Sequence, residues 1–126
     1  MRARYAVALS IFAFAAGAAA VQGLHAQAKP PTYVIVETDV QQPDKFMKEF
    51  VPLAEKAVAD AGGKFLARTA PTAVIDGTSP RRAAVIEFES LDKARSSSRT
   101  EAYKNARKTG DKYAKFRIYA VEGRPD

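Results

Sequence analysis

The sequence contains no cysteine and no tryptophan, and its single histidine is His25. Without cysteine there is no disulfide, no thiolate metal site and no cysteine nucleophile. His25 falls in a segment that reads as an export signal, so the domain that follows has no imidazole. That excludes a Ser-His-Asp triad, a histidine general base, a haem histidine ligand and most zinc sites. No spaced run of aspartates resembles a calcium loop. Phosphate-loop and dinucleotide glycine patterns are also missing, because Gly62-Gly63 follows an expected helix instead of opening one. Carboxylates, Tyr, Lys, Arg, Ser and Thr remain for chemistry. No metal or organic cofactor is expected.

Residues 1–28 carry the pattern of a signal peptide. Arg2 and Arg4 form a charged start, Tyr5 to Ala16 is an uncharged apolar run, and Ala26-Gln27-Ala28 supplies the small-x-small site. Cleavage is expected after Ala28, and retention of the uncharged run as a membrane anchor is the alternative. A lipoprotein is excluded because no lipobox cysteine exists. The expected destination is the periplasm or the exterior. Residues 29–126 then form a single domain, since 98 of the 126 residues suffice for one core and no more. Removing Arg2 and Arg4 leaves 18 basic against 14 acidic residues, a net charge of +4. The excess lies in Lys93–Arg117, where nine Lys and Arg face only Glu101 and Asp111. A solvated helical face is the plain reading, and attraction of an anionic ligand or lipid surface is the sharper one. Nucleic acid is not expected behind an export signal, nor is stable membrane insertion after cleavage.

The spacing of apolar residues gives the elements. Tyr33–Val40 alternates as a strand, with Val34, Val36, Thr38 and Val40 on one face. A helix follows Asp44, with a stripe of Phe46, Phe50, Leu53, Ala54, Ala57, Val58 and Ala61. Pro52 predicts a bend in it, and Gly62-Gly63 predicts its end. Lys64–Thr69 reads as a strand, Ala73–Asp76 as a brief extended piece, and Arg82–Phe88 as a strong strand with Ala84, Ile86 and Phe88 on one face. Ser90 is a candidate cap for a helical region running to about Lys108, with a possible break near Ser96–Ser98. Its core candidates are Ala94, Ala102, Tyr103 and Ala106. Phe116–Glu122 is the last strand.

The order βαββαβ predicts an α+β, ferredoxin-like sandwich: one antiparallel sheet with two helices on one face. The other face would then expose Tyr33, Ile35, Glu37, Leu66, Arg68, Val85, Glu87, Arg117, Tyr119 and Val121. Six of these ten are apolar or aromatic, which is too sticky for open solvent. Two such sheets packed together, as a homodimer, would cover it. The RNA-recognition module shares this element order, but Arg82–Phe88 lacks its glycine and inner stacking aromatics, so that function is excluded.

The segments Gly62-Gly63-Lys64-Phe65-Leu66-Ala67-Arg68 and Val85-Ile86-Glu87-Phe88-Glu89-Ser90, with Tyr33–Val40, Ala94, Tyr103, Arg107 and Val121-Glu122-Gly123, resemble the domain-of-unknown-function 1330 family over residues 33–123. That family lies in the dimeric α/β-barrel superfamily. The resemblance implies a homodimer built by packing sheet on sheet, and no particular reaction. More distant members of the superfamily include cofactor-independent monooxygenases, lactone isomerases and haem-binding proteins. Where many relatives carry Ser-Pro-Glu-Tyr, this chain has Thr100-Glu101-Ala102-Tyr103, so a less sharply interrupted helix is expected.

Several residues are candidates for a site. Arg68 calls for a carboxylate, and Glu87 on the same expected sheet face is the natural partner, either as a dimer-orienting ion pair or as a substrate clamp. Tyr103 and Arg107 are four apart and share a helix face. They present a phenol and a guanidinium to a cleft, or else a core Tyr beside a surface Arg. Tyr33 and Tyr119 face the inter-sheet space, for a ligand hydrogen bond or for aromatic packing. Glu37 and Glu87 qualify as general bases if buried. Glu87, Tyr103 and Arg107 are thus the catalytic candidates, and Arg68, Tyr103, Arg107, Tyr33 and Tyr119 the ligand-binding ones. Three functions follow from this inventory: a homodimer that binds a small apolar or anionic ligand, a cofactor-independent monooxygenase or isomerase acting on an acidic or phenolic substrate, and a structural protein whose sheet face is consumed by dimerisation.

Overall fold

The computed structural model describes residues 30–125. The expected export signal over residues 1–28, with His25, lies outside the described residues. Four strands form one antiparallel sheet: β1 (Thr32–Val40), β2 (Lys64–Pro71), β3 (Arg82–Phe88) and β4 (Ala114–Glu122), in the order β2-β3-β1-β4. β1 is central, with Val34 opposite Ile86 on β3 and opposite Ala120 on β4. Three helices complete the chain: α1, α2 (Leu91–Ser97) and α3 (Glu101–Asp111). Among the described residues no helix is long and apolar enough to cross a membrane.

Helix α1 joins a first turn, Pro43–Lys45, a π-helical turn, Phe46–Phe50, and an α-helical stretch, Val51–Asp60. The wide turn answers the bend expected from Pro52. Proline has no N–H to give and its ring crowds the carbonyl four residues back. The chain meets this by widening just upstream, where the Val51 N–H bonds to the Phe46 carbonyl. The extra residue rotates the buried stripe, so Leu53, expected inside, is exposed at 44%, while Val51 packs against the core. The helix ends as expected at Gly62, whose φ of +88° is the left-handed conformation that favours glycine. Gly62 and Gly63 donate to the carbonyls of Ala59 and Val58, which closes a Schellman end.

The second helical region is two helices, with the break just after Ser97, at the candidate position near Ser96–Ser98, and more sharply interrupted than Thr100-Glu101-Ala102-Tyr103 implies. Ser90 caps α2 by accepting from the Lys93 N–H. The Thr100 hydroxyl donates to the Ser97 carbonyl at the end of α2 and accepts the Tyr103 N–H at the start of α3. One hydroxyl thus ends one helix and begins the next. Ala102, a core candidate, lies on the exposed side of α3.

Two apolar clusters hold the helices on the sheet. Phe46, Phe50, Ala106 and Ala114 surround Val40 at one end; Val58, Ile86, Phe88 and Ala94 pack at the other. Burying each such phenylalanine contributes about 1.5–3 kcal/mol. Gly110 of α3 lies where any side chain would meet Phe50, so its missing Cβ lets α3 approach α1 closely. The extended piece expected over Ala73–Asp76 is not a strand. The last pairing is Thr72 N–H to the Arg81 carbonyl. Beyond it β3 offers no further partner, and the loop carries Ile75 almost fully exposed.

Candidate functional site

The faces of the sheet follow from the pleat, except on β2. There the register places Phe65 opposite Ile86, Ala67 opposite Val85 and Ala70 opposite Ala83, with shifts between these pairs. Such bulges put two residues opposite one and move side chains to the other face. Arg68 is moved in this way. Its expected partner Glu87 lies on the open face, opposite Tyr33 and Lys64. Arg68 instead lies 3.7 Å from Glu55 of α1, on the helix side, and is largely exposed. The Arg68–Glu87 pairing is therefore replaced by a weak surface contact.

Tyr33 and Glu87 are half-buried on the open face. Tyr119, on the same face, donates to Glu37 at 2.6 Å. That bond, with a lesser part from burial, raises the Tyr119 phenol above its ordinary value. The open face carries an apolar middle, Val85, Ile35 and Tyr119, with Glu37 and Arg117 at one end and Lys64 and Glu87 at the other.

Tyr103 and Arg107 are elsewhere, on the opposite side of the sheet. They line a cleft of about 580 Å³ between the helices and the sheet. Its floor is Val34 and Val36 of β1 and Ile118 and Ala120 of the neighbouring edge strand β4, and Phe88 and Leu91 also line it. A much smaller, mainly apolar space, about 50 Å³, is also bounded by Tyr103 and Arg107, with Glu55 of α1 on its rim. The i,i+4 spacing brings both side chains to this wall, and the Thr100 cap fixes where the helix that carries them begins.

Arg107 is firmly held. Its Nη2 donates to Asp111 at 3.0 Å, and its guanidinium lies 4.4 Å from the centre of the Phe116 ring. Burial works against its charge, but the neighbouring Tyr103 and Asp111 oxygens outweigh burial and raise it above its ordinary value. Its Nε is buried without an acceptor among the described residues. A second guanidinium, Arg95 of α2, also lines the cleft. Sequence reasoning passed over Arg95; the only signal for it was its membership of the basic stretch Lys93–Arg117. No Asp or Glu is among the described residues lining the larger cleft. The structure thus groups Tyr103, Arg107 and Arg95, and separates them from Arg68, Glu87 and Tyr33.

The described residues contain no cluster of three or more His, Cys, Asp or Glu able to hold a metal ion. The available chemistry is a positively charged, largely apolar cleft lined by Tyr103 and by Tyr119, whose hydroxyl is engaged by Glu37.

The family model for a domain of unknown function, DUF1330, matches residues 31–124. The chain belongs to this family. No curated protein resembles this DUF1330 chain closely enough to count as a relative. Solved structures are similar to it in fold. SnoaB, a cofactor-independent oxygenase from Streptomyces nogalater, is 14% identical with a TM-score of 0.58, over 75% of this chain and 94% of that one. A dimeric protein of unknown function and ferredoxin-like fold from Bacteroides fragilis is 13% identical with a TM-score of 0.51, over 74% and 96%. RPA0582, a protein of unknown function from Rhodopseudomonas palustris, is 14% identical with a TM-score of 0.52, over 75% and 83%. At these identities the likeness is one of fold: this DUF1330 member is a ferredoxin-like α+β domain.

Proposed function

We propose that this DUF1330 protein is an exported homodimer that binds a small molecule in the cleft between helices and sheet. The observation that carries the reading is the cleft itself. Its volume of about 580 Å³ lies within the range of small-molecule sites, roughly 300–1,000 Å³. Its walls are mostly apolar, with a few convergent polar groups. The apolar middle of the open sheet face supports self-association, since Tyr119 and Val121 remain 44% and 52% exposed in the single chain. Association through that face leaves the cleft, on the other side, open to ligand. The signal-like residues 1–28 support export.

A second reading is enzymatic. The Tyr103 phenol beside the Arg107 guanidinium is suited to orienting an acidic or phenolic substrate and to handling its proton. Glu87, on the open face, has no part in that arrangement.

Native mass spectrometry of protein purified from its own host's periplasm tests the first reading. The expected spectrum is a dimer of chains lacking residues 1–28, carrying a discrete small mass. A monomer refutes the sheet-face dimer, an intact N-terminus refutes cleavage, and a clean dimer that takes up no apolar molecule on titration refutes the cleft as a binding site.

A further inference from the structure

We propose that the cleft takes an apolar molecule ending in a single carboxylate, with the carboxylate engaged by Arg107 and Arg95. This rests on the reading of the cleft as a ligand site and names the class of ligand.

Charge is the first argument. Two guanidiniums and no carboxylate line the space among the described residues. Arg107 is partly satisfied: Asp111 takes its Nη2, and Tyr103 also bonds to it. A carboxylate in the cleft would meet the remaining Nη donors of the guanidinium. Arg95 makes no ion pair or side-chain hydrogen bond among the described residues. Its turn of helix is pinned, because the Ser98 hydroxyl donates to its carbonyl. The Thr100 hydroxyl ties the end of α2 to the start of α3, so the backbone positions that carry the two arginines are linked before any ligand arrives. Fixing the backbone in advance lowers part of the ordering cost of binding.

The rest of the cleft sets the remainder of the ligand. Val34, Val36, Ile118 and Ala120 form an apolar floor with no charged group. An inorganic anion would satisfy the arginines and leave that floor bare. A neutral hydrocarbon would cover the floor and leave Arg95 without an anionic partner. Only a molecule with both parts fits both surfaces. A carboxylate matches the in-plane donors of a guanidinium.

The test is calorimetric titration of the full chain at neutral pH with decanoate and 1-naphthoate, their amides decanamide and 1-naphthamide, and inorganic phosphate. Each acid is expected to bind at least about tenfold more tightly than its amide, the amount a hydrogen bond to a charged group contributes. The two acids separate alkyl from aryl sources of the same carboxylate. The advantage of acid over amide is expected to shrink in Arg107→Gln and in Arg95→Gln. The second variant lies on an exposed position and guards against misfolding of the first. Acid and amide binding equally well would overturn the carboxylate and leave the cleft reading standing. Phosphate matching the acids would overturn the need for an apolar body. Binding of none of these would overturn both the inference and the cleft reading.

Discussion

Gly110→Ala puts a single methyl group where α3 meets α1, and the structure sets its cost. A Cβ at this position would lie 2.5 Å and 2.7 Å from Cδ1 and Cε1 of Phe50, and 2.9 Å from Cζ of Phe116. All three are ring atoms of one cluster. Phe50 stacks on Phe46 at 5.0 Å and meets Phe116 at 5.1 Å, so Phe50 cannot swing aside without moving both. Overpacking of this kind costs about 1–3 kcal/mol. Against it, alanine gains about 0.8–1.0 kcal/mol of helix propensity over glycine. The expected net loss is about 1–2 kcal/mol, because three contacts under 3 Å place the clash in the upper part of its range. Urea denaturation followed by circular dichroism reads this directly. With a slope of about 1–2 kcal/mol/M for a domain of this size, the midpoint should fall by roughly 0.5–2 M. Asn105→Ala, on the exposed side of the same helix, isolates the propensity gain and should raise the midpoint slightly. If Gly110→Ala proves as stable as the parent chain, the rings yield freely and the close approach of α3 to α1 is not what glycine secures.

Other outcomes follow from the same contacts. Thr100→Val removes the hydroxyl that caps α3, so it should cost about 1 kcal/mol in the same denaturation assay; it should also weaken naphthoate binding, since Tyr103 and Arg107 ride on that helix. Spectrophotometric titration at 295 nm should find Tyr119 ionising above the usual tyrosine range, and Glu37→Gln should bring it down. Because its folded-state value is raised, the Tyr119–Glu37 contact stabilises the fold below the ordinary tyrosine value and is lost as pH climbs through the raised one. A double-mutant cycle between Arg68 and Glu55 should give at most about 0.5 kcal/mol for so exposed a pair, and one between Arg68 and Glu87 should give no coupling at all.

The strands that pair along their whole length were legible in the sequence, and so were their faces. Val34 and Val36 of β1, and Ala84, Ile86 and Phe88 of β3, alternate without a break, and period two is a strong signal when one side is buried. Gly62 and Ser90 were legible too, because a left-handed helix end and a side-chain cap need few residue types. Arg68 was not. The alternation of Lys64–Thr69 looks regular, and nothing in those letters marks a bulge, which arises only when the strand meets β3. The wide turn before Pro52 hid Leu53 in the same manner, by adding one residue to a periodic stripe. At the site, Tyr103 and Arg107 were visible as a pair because one helix carries both. Arg95 stands on another helix, and only the packing of α2 onto the sheet brings it to the same cleft.

The shifts along β2 can be counted as parity. From Phe65 opposite Ile86 to Ala70 opposite Ala83, β2 advances five residues while β3 advances three. The surplus is two, an even number, so β2 leaves the irregular stretch with its inside and outside where a regular strand would have them. Pro71 and Thr72 enter the loop on the correct side, and only the residues within the stretch are inverted. Removing one residue here would make the count odd and turn the end of the strand over; removing two would straighten the strand and return Arg68's neighbours to plain alternation. Homologous strands in other chains should therefore differ in length at this edge by even steps.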